Sequence, residues 1–211
     1  MRPRELPISY CTKMVRANRD GRKTNTRRVM KPQPEVSRIE ATNELHGYEW
    51  RWNGLFHIGP MPVINQLLQG HSPYGNVGDV LWVREEFLET GRGVIYRADF
   101  DDDETLDICD GWCPPEEMPR EYARDFQRIT KVQVERLHDI SEEDARAEGC
   151  PRCIGITNCG CCDGTCEYMM PQVWYKHLWE SLHGLGSWDR NDWVWAITYE
   201  RLENYEGVGK K

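Results

Sequence analysis

The β-branched and aromatic residues of this chain are spent in short runs separated by turn formers, and that pattern restricts the fold more than any other feature. Val80–Arg84 (VLWVR), Val94–Ala98 (VIYRA), Gln127–Leu137 (QRITKVQVERL) and Trp193–Leu202 (WVWAITYERL) all read as strands. Ile129, Val132, Val134 and Leu137 alternate imperfectly with polar residues, as in a half-buried strand. Only three segments carry helix signals. Thr12 is placed to cap a helix over Lys13–Asp20, with Gly21 just past its end. Ser141 opens a second, with Asp144 three residues on and Gly149 as its stop. Pro171 starts a third that runs to Leu182, its apolar face holding Tyr175, Leu178, Trp179 and Leu182, and Gly184 stops it. Several short strands with few helices predict an α+β fold around a small sheet or barrel.

A length of 211 residues suits one domain with elaborations. Nine Trp, nine Tyr and four Phe supply core material and argue against disorder. No stretch is long and apolar enough for a transmembrane helix, and the first residues (MRPRELPISY) lack a signal-peptide core, so a cytoplasmic protein without a membrane partner is expected. Residues 31–76, rich in Pro, Gly and Asn, and the acidic stretch 99–119 read as insertions. The net charge of −8 excludes a uniformly basic nucleic-acid coat. It hides an asymmetry: residues 1–38 hold 11 Lys/Arg against 3 Asp/Glu, and residues 99–148 hold 6 against 17. The basic segment fits a localised anionic ligand, or it pairs with the acidic stretch Asp99–Glu104.

Six of the nine cysteines fall within Cys150–Cys166 (CPRCIGITNCGCCDGTC). Without a secretion signal a disulfide scaffold is not expected. Two C-x-x-C-x-G units, Cys150–Cys153–Gly155 and Cys159–Cys162–Gly164, each let two thiolates point at one ion. Together Cys150, Cys153, Cys159 and Cys162 form a candidate structural Zn2+ site, with Cys161 and Cys166 as spare thiols. Reduced thiols in a loop, or iron–sulfur ligation, are the alternatives.

The segment Asp20–Arg28 reads DGRKTNTRR, Gly78–Glu85 reads GDVLWVRE, and Leu137–Gly149 reads LHDISEEDARAEG. In this order they resemble three signatures of the ASCH superfamily: G-x-K-T-x-T-x-R after a helix, a G-D-x-L strand, and a helix opened by I-S/T-E-x-x-A. Trp179–Gly184 followed by Trp193–Tyr199 is similar to the ending of bacteriophage-encoded members. The resemblance implies a PUA-like small β-barrel with short flanking helices, here a single domain over 1–211 with the zinc-knuckle module at about 150–166 inserted. It also implies an RNA or modified-nucleoside partner in a bacterial host cell. Some small members are amidohydrolases of N4-acetylcytidine that use a lysine, a threonine and a glutamate. The matching positions here are Lys23, Thr26 and Glu148, the last preferred over Glu142 and Glu143 because Ala145–Glu148 fits the A-x-x-E spacing.

Amide hydrolysis needs a nucleophile, a base to activate it and an acid for the leaving amine. A hydroxyl such as Thr26 needs a neighbour to take its proton, and burial beside Arg22, Arg27 and Arg28 would lower the pKa of Lys23 enough to serve. Otherwise Lys23 and Arg28 bind phosphate and Glu148 only pairs with them. Arg22, Arg27 and Arg28 are candidate substrate or nucleic-acid contacts. Trp50 and Trp52, alternating to one face of a polar insertion, are candidate base-stacking residues, or they belong to a surface hairpin that packs on the barrel. Three functions therefore stand: an acyl-nucleoside amidohydrolase, a non-catalytic RNA-binding or regulatory module, and a protein-interaction factor that uses the acidic stretch.

Overall fold

The computed structural model of the chain describes residues 3–39, 47–100, 111–151, 170–203 and 205. It is an α+β structure built on a five-stranded mixed sheet. In spatial order the strands are β1 (Glu5–Ser9), β6 (Val80–Arg84), β9 (Phe126–Arg136), β10 (Trp193–Leu202) and β2 (Asn25–Val29). Only the β1–β6 pair is parallel. A three-stranded antiparallel sheet of β3 (Glu35–Ile39), β4 (Gly47–Trp52) and β5 (Leu55–Gly59) leads into helix α2 (Met61–Leu68). A hairpin of β7 (Phe87–Thr90) and β8 (Gly93–Tyr96) completes the strands. The remaining helices are α1 (Thr12–Arg19), α3 (Glu142–Ala147) and α4 (Pro171–His183). None of the described helices is long and apolar enough to cross a membrane.

Strand β10 organises the interior because alternate residues point to opposite faces. Trp193, Trp195, Ile197 and Tyr199 enter the larger core with Ile129, Val132 and Val134 of β9. Val194 faces the other way, into a smaller core with Ala145 of α3 and with Tyr175 and Trp179 of α4. The imperfect alternation of β9 has a cause. Ile129 pairs with Tyr199 and Lys131 with Thr198, so Thr130 is an extra residue, a bulge that resets which side chains point inward.

Several expectations are corrected. Thr12 does not cap α1; Cys11 holds that position without a side-chain bond, and the Thr12 hydroxyl instead donates to Glu86. The predicted strand at Val94–Ala98 breaks at Tyr96, where a 3-10 turn over Arg97–Asp99 begins. The stretch 31–76, read as an insertion with short strands, carries a three-stranded sheet that lays Trp50 and Trp52 on β10. Trp50 meets Trp193 edge to face at 4.7 Å, and Trp52 meets Trp195 at 5.6 Å. Both tryptophans are over nine-tenths buried, so their rings are committed to the core and present no platform to a base. A barrel closed by backbone pairing is also not seen among the described residues, because β1 and β2 remain edge strands. Those edges nonetheless approach each other: Arg28 on β2 donates to the Ser9 carbonyl on β1 at 2.7 Å. The sheet is therefore curled.

Candidate functional site

The segment after α1 is held from three sides by its backbone. Arg22 and Lys23 N–H both donate to the Ala17 carbonyl at the end of α1. Thr24 donates to Ala147 in α3, and its carbonyl accepts from Tyr199 in β10. Lys23 and Glu148 form an isolated antiparallel bridge, which fixes two residues 125 positions apart side by side. Gly149 makes this approach possible. Its φ is +106°, and a Cβ there would sit 3.0 Å from Ala17 Cβ and 3.3 Å from Lys23 Cβ.

Lys23 is 3% exposed and Glu148 2%. The lysine Nζ donates to Glu148 Oε2 at 2.8 Å, to the Asn25 carbonyl at 2.8 Å and to the Glu148 carbonyl at 3.2 Å. These three bonds use all the protons of an ammonium. Burial pushes the Lys23 pKa down against the opposing pull of Glu148. Arg27 grips the other carboxylate oxygen of Glu148 at 3.1 Å and also pairs with Glu135 at 2.7 Å and Asp144 at 3.1 Å. Its pKa is raised: burial acts to lower it, and Glu148 and Glu135 together outweigh burial. Burial also pushes Glu135 above the usual carboxylate range, although Arg27 opposes it.

Beside this ion network lies a partly open cavity of about 70 Å3 that is bordered by Lys23, Thr26, Arg27, Arg28 and Glu148. Because β2 is an edge strand, Arg27 on one face and Thr26 and Arg28 on the other all reach the same cleft. Thr26 is buried, and its hydroxyl has no hydrogen-bond partner among the described residues. Thus a candidate nucleophile, an amine and a carboxylate from distant parts of the chain share one cavity wall.

The basic candidates separate by partner. Arg22 braces the loop through the Gly149 carbonyl and Asp20, and Arg27 is locked among three carboxylates. Neither presents a free guanidinium to a phosphate. Arg28 has no carboxylate partner among the described residues and lies over the Tyr10 ring at 5.5 Å. Arg19 pairs with Asp99, as expected for a basic face meeting the acidic stretch, and also with Glu85 and Asp125.

The rest of the lining comes from Ser9, Tyr10 and Cys11 before α1, and from Tyr175, Trp179 and His183 on α4. Tyr175 and Trp179 follow the helical period and looked like ordinary core. Burial raises Tyr10 to about 12 and carries Tyr175 well above its ordinary value. Burial, then Arg28, lowers His183. A second cavity, about 450 Å3, lies between the two sheets and is bordered by Tyr48, Asn65, Glu135 and Trp193.

Of the expected zinc ligands, Cys150 is half-buried with its thiol toward the Pro151 carbonyl at 3.6 Å. Cys153, Cys159 and Cys162 lie outside the described residues, as do residues 101–110 of the acidic stretch. Among the described residues no group of three or more His, Cys, Asp or Glu could hold a metal ion. No protein-family model, curated protein or solved structure matches the chain.

Proposed function

We propose that the chain is an ASCH-type, PUA-like protein whose cavity binds an acylated pyrimidine nucleoside, free or within RNA, and hydrolyses its amide. One observation carries this reading: Lys23, Thr26 and Glu148 border one cavity, and Lys23 and Glu148 touch within it. In the first step the neutral Lys23 amine takes the Thr26 proton while Thr26 Oγ1 bonds to the acyl carbon. The C–N bond then breaks, and the Lys23 ammonium returns the proton to the leaving nitrogen. Water completes the cycle: it attacks the acyl-threonine, Lys23 takes its proton, and Thr26 Oγ1 leaves protonated. Glu148 stabilises each transient ammonium and Arg27 fixes the carboxylate. The three bonds that hold Lys23 as an ammonium favour a second reading, a non-catalytic site that binds a nucleotide or RNA.

Deacetylation of N4-acetylcytidine, with RNA affinity at two salt concentrations, separates the two. Turnover abolished in Lys23→Met supports hydrolysis. Salt-sensitive binding without turnover supports the binding module. Absence of both leaves the protein-interaction factor, with the acidic stretch as its contact surface. For the cysteine module we propose a structural zinc on Cys150, Cys153, Cys159 and Cys162, a donor set of four thiolates that suits this ion. Native mass spectrometry is expected to find one zinc per chain, lost when Cys150 and Cys153 become Ser.

A further inference from the structure

Strand β5 is an edge of the three-stranded sheet, and among the described residues it pairs only with β4. Asn53 and Gly54 between the two strands have φ of +51° and +82°, so Trp52 and Leu55 close a two-residue hairpin as a hydrogen-bonded pair. Bonded and non-bonded pairs alternate from there. Trp50 with His57 is bonded, whereas Arg51 with Phe56 and Glu49 with Ile58 are not. The N–H and C=O groups of Phe56 and Ile58 therefore point away from β4, and no further backbone hydrogen bond reaches them among the described residues. The same two residues turn their side chains outward, 55% and 54% exposed, on the face opposite to buried Trp50 and Trp52.

Edge strands are ordinarily guarded by charge, proline or a bulge. The other edge of this sheet, β3, carries Glu35 and Arg38, and the outer strands of the main sheet carry Glu5 and Pro7 on β1 and Arg27 and Arg28 on β2. β5 reads LFHIG and has no such guard. Residues 53–78 contain no Asp, Glu, Lys or Arg, and α2 just after β5 leaves Val63 and Leu67 exposed. From this we infer that β5 pairs with β5 of a second copy of the chain, antiparallel about a twofold axis at His57. The edge is complementary to its own inverse. Phe56 meets Ile58 of the partner subunit and Ile58 meets Phe56 of the partner subunit, each pair exchanging both backbone bonds and joining an aromatic to a β-branched side chain. Charge selects the same occupant, because two chains of net charge −8 repel and approach most easily where neither presents a charge. The β4 charges on that face, Arg51 and Glu49, pair with each other. The association is closed and isologous, and it joins the two three-stranded sheets edge to edge. Phe56 and Ile58 border neither cavity, so the inference does not depend on the nucleoside reading.

The test is sedimentation equilibrium of the full chain over rising concentration. The wild type should show a monomer–dimer equilibrium that tightens with salt, as repulsion between the net charges is screened. Ile58→Lys and Phe56→Glu, both at exposed positions, should each raise the dimer dissociation constant at least about tenfold. Near-UV circular dichroism should stay unchanged in both, showing that Trp50 and Trp52 remain packed on β10. Mixing the two variants should restore association, because positions 56 and 58 face each other across the axis and the introduced charges then meet as opposites. Leu185→Lys is the control, at an apolar residue more exposed than either and far from β5 in sequence; it should leave the equilibrium unchanged. A dimer that Ile58→Lys and Phe56→Glu leave intact overturns the inference, and so does a mixture that fails to associate. A wild type that stays monomeric also overturns it and leaves the edge to a strand of another protein.

Discussion

Two buried ion networks tie helices to the main sheet, and they are built from the same chemistry. In one, Lys23 and Arg27 share Glu148, with Glu135 and Asp144 outside them. In the other, Arg19 and Arg124 share Glu85 and Asp99, while Asp125 accepts from Arg19 and Arg201. Glu85 and Asp125 are as deeply buried as Glu148. Yet the second network borders neither cavity described above and, among the described residues, contains no lysine, and the Tyr96 hydroxyl near it is spent on the Tyr122 carbonyl. The comparison teaches that a buried charge cluster alone is a clamp. What distinguishes the first is its lysine, a group able to lose a proton, next to the unpartnered Thr26 hydroxyl and an opening.

The sharpest way to separate the two is to neutralise the shared carboxylate in each. Glu148→Gln should lower deacetylation roughly 10²–10³-fold, the usual worth of one group that stabilises charge in the transition state, measured as kcat/KM on folded protein. Glu85→Ala should leave kcat/KM unchanged but cost about 3–5 kcal/mol in urea unfolding, because two arginines lose their common partner. Equal loss of activity in both would erase the distinction.

Acidity gives a second contrast. Burial holds the Lys23 pKa below the ordinary 10.5. Between the folded and unfolded values the unfolded chain binds more protons, so stability should rise with pH across that window and level off above about 10.5. kcat/KM should climb over the same range as the amine becomes neutral. Lys23→Met should flatten both curves, whereas Glu85→Ala should leave their slopes intact. Smaller effects are expected at the hinge of the first network. Gly149→Ala should cost about 1–3 kcal/mol through its positive φ, with a further rise in KM as the Lys23 loop shifts. Arg22→Ala, at a partly exposed brace, should change stability by about 1 kcal/mol or less.

Much of this was legible in the chain. VLWVR and WVWAITYERL have the β-branched and aromatic density of strands, and the structure places β6 and β10 on those residues. Ser141 caps α3 by accepting from the Asp144 N–H, as its spacing implies. The bulge at Thr130 was not legible, since it depends on the register against a strand some seventy residues away. The base-stacking reading of Trp50 and Trp52 failed for a related reason. Their polar neighbours describe the outer face of a strand, while the inner face is decided by β10, which sequence spacing does not locate. Lys23, Thr26 and Glu148 could be named from motifs. That Arg27 is spent on carboxylates and Arg28 is not could not, because partner choice is fixed by tertiary contacts.

The stapled loop after α1 has a consequence for how the protein matures. Its backbone bonds reach α1, α3 and β10, and the cavity draws on residues from Ser9 to His183. Contacts of such long sequence separation are slow to form, because large loops must close before the bonds compensate for them. The pocket therefore has no precursor in any local fragment, and a nascent chain stopped before β10 carries the loop without its third anchor. Ligand capacity should appear late and all at once during refolding, with the acquisition of native structure and not ahead of it.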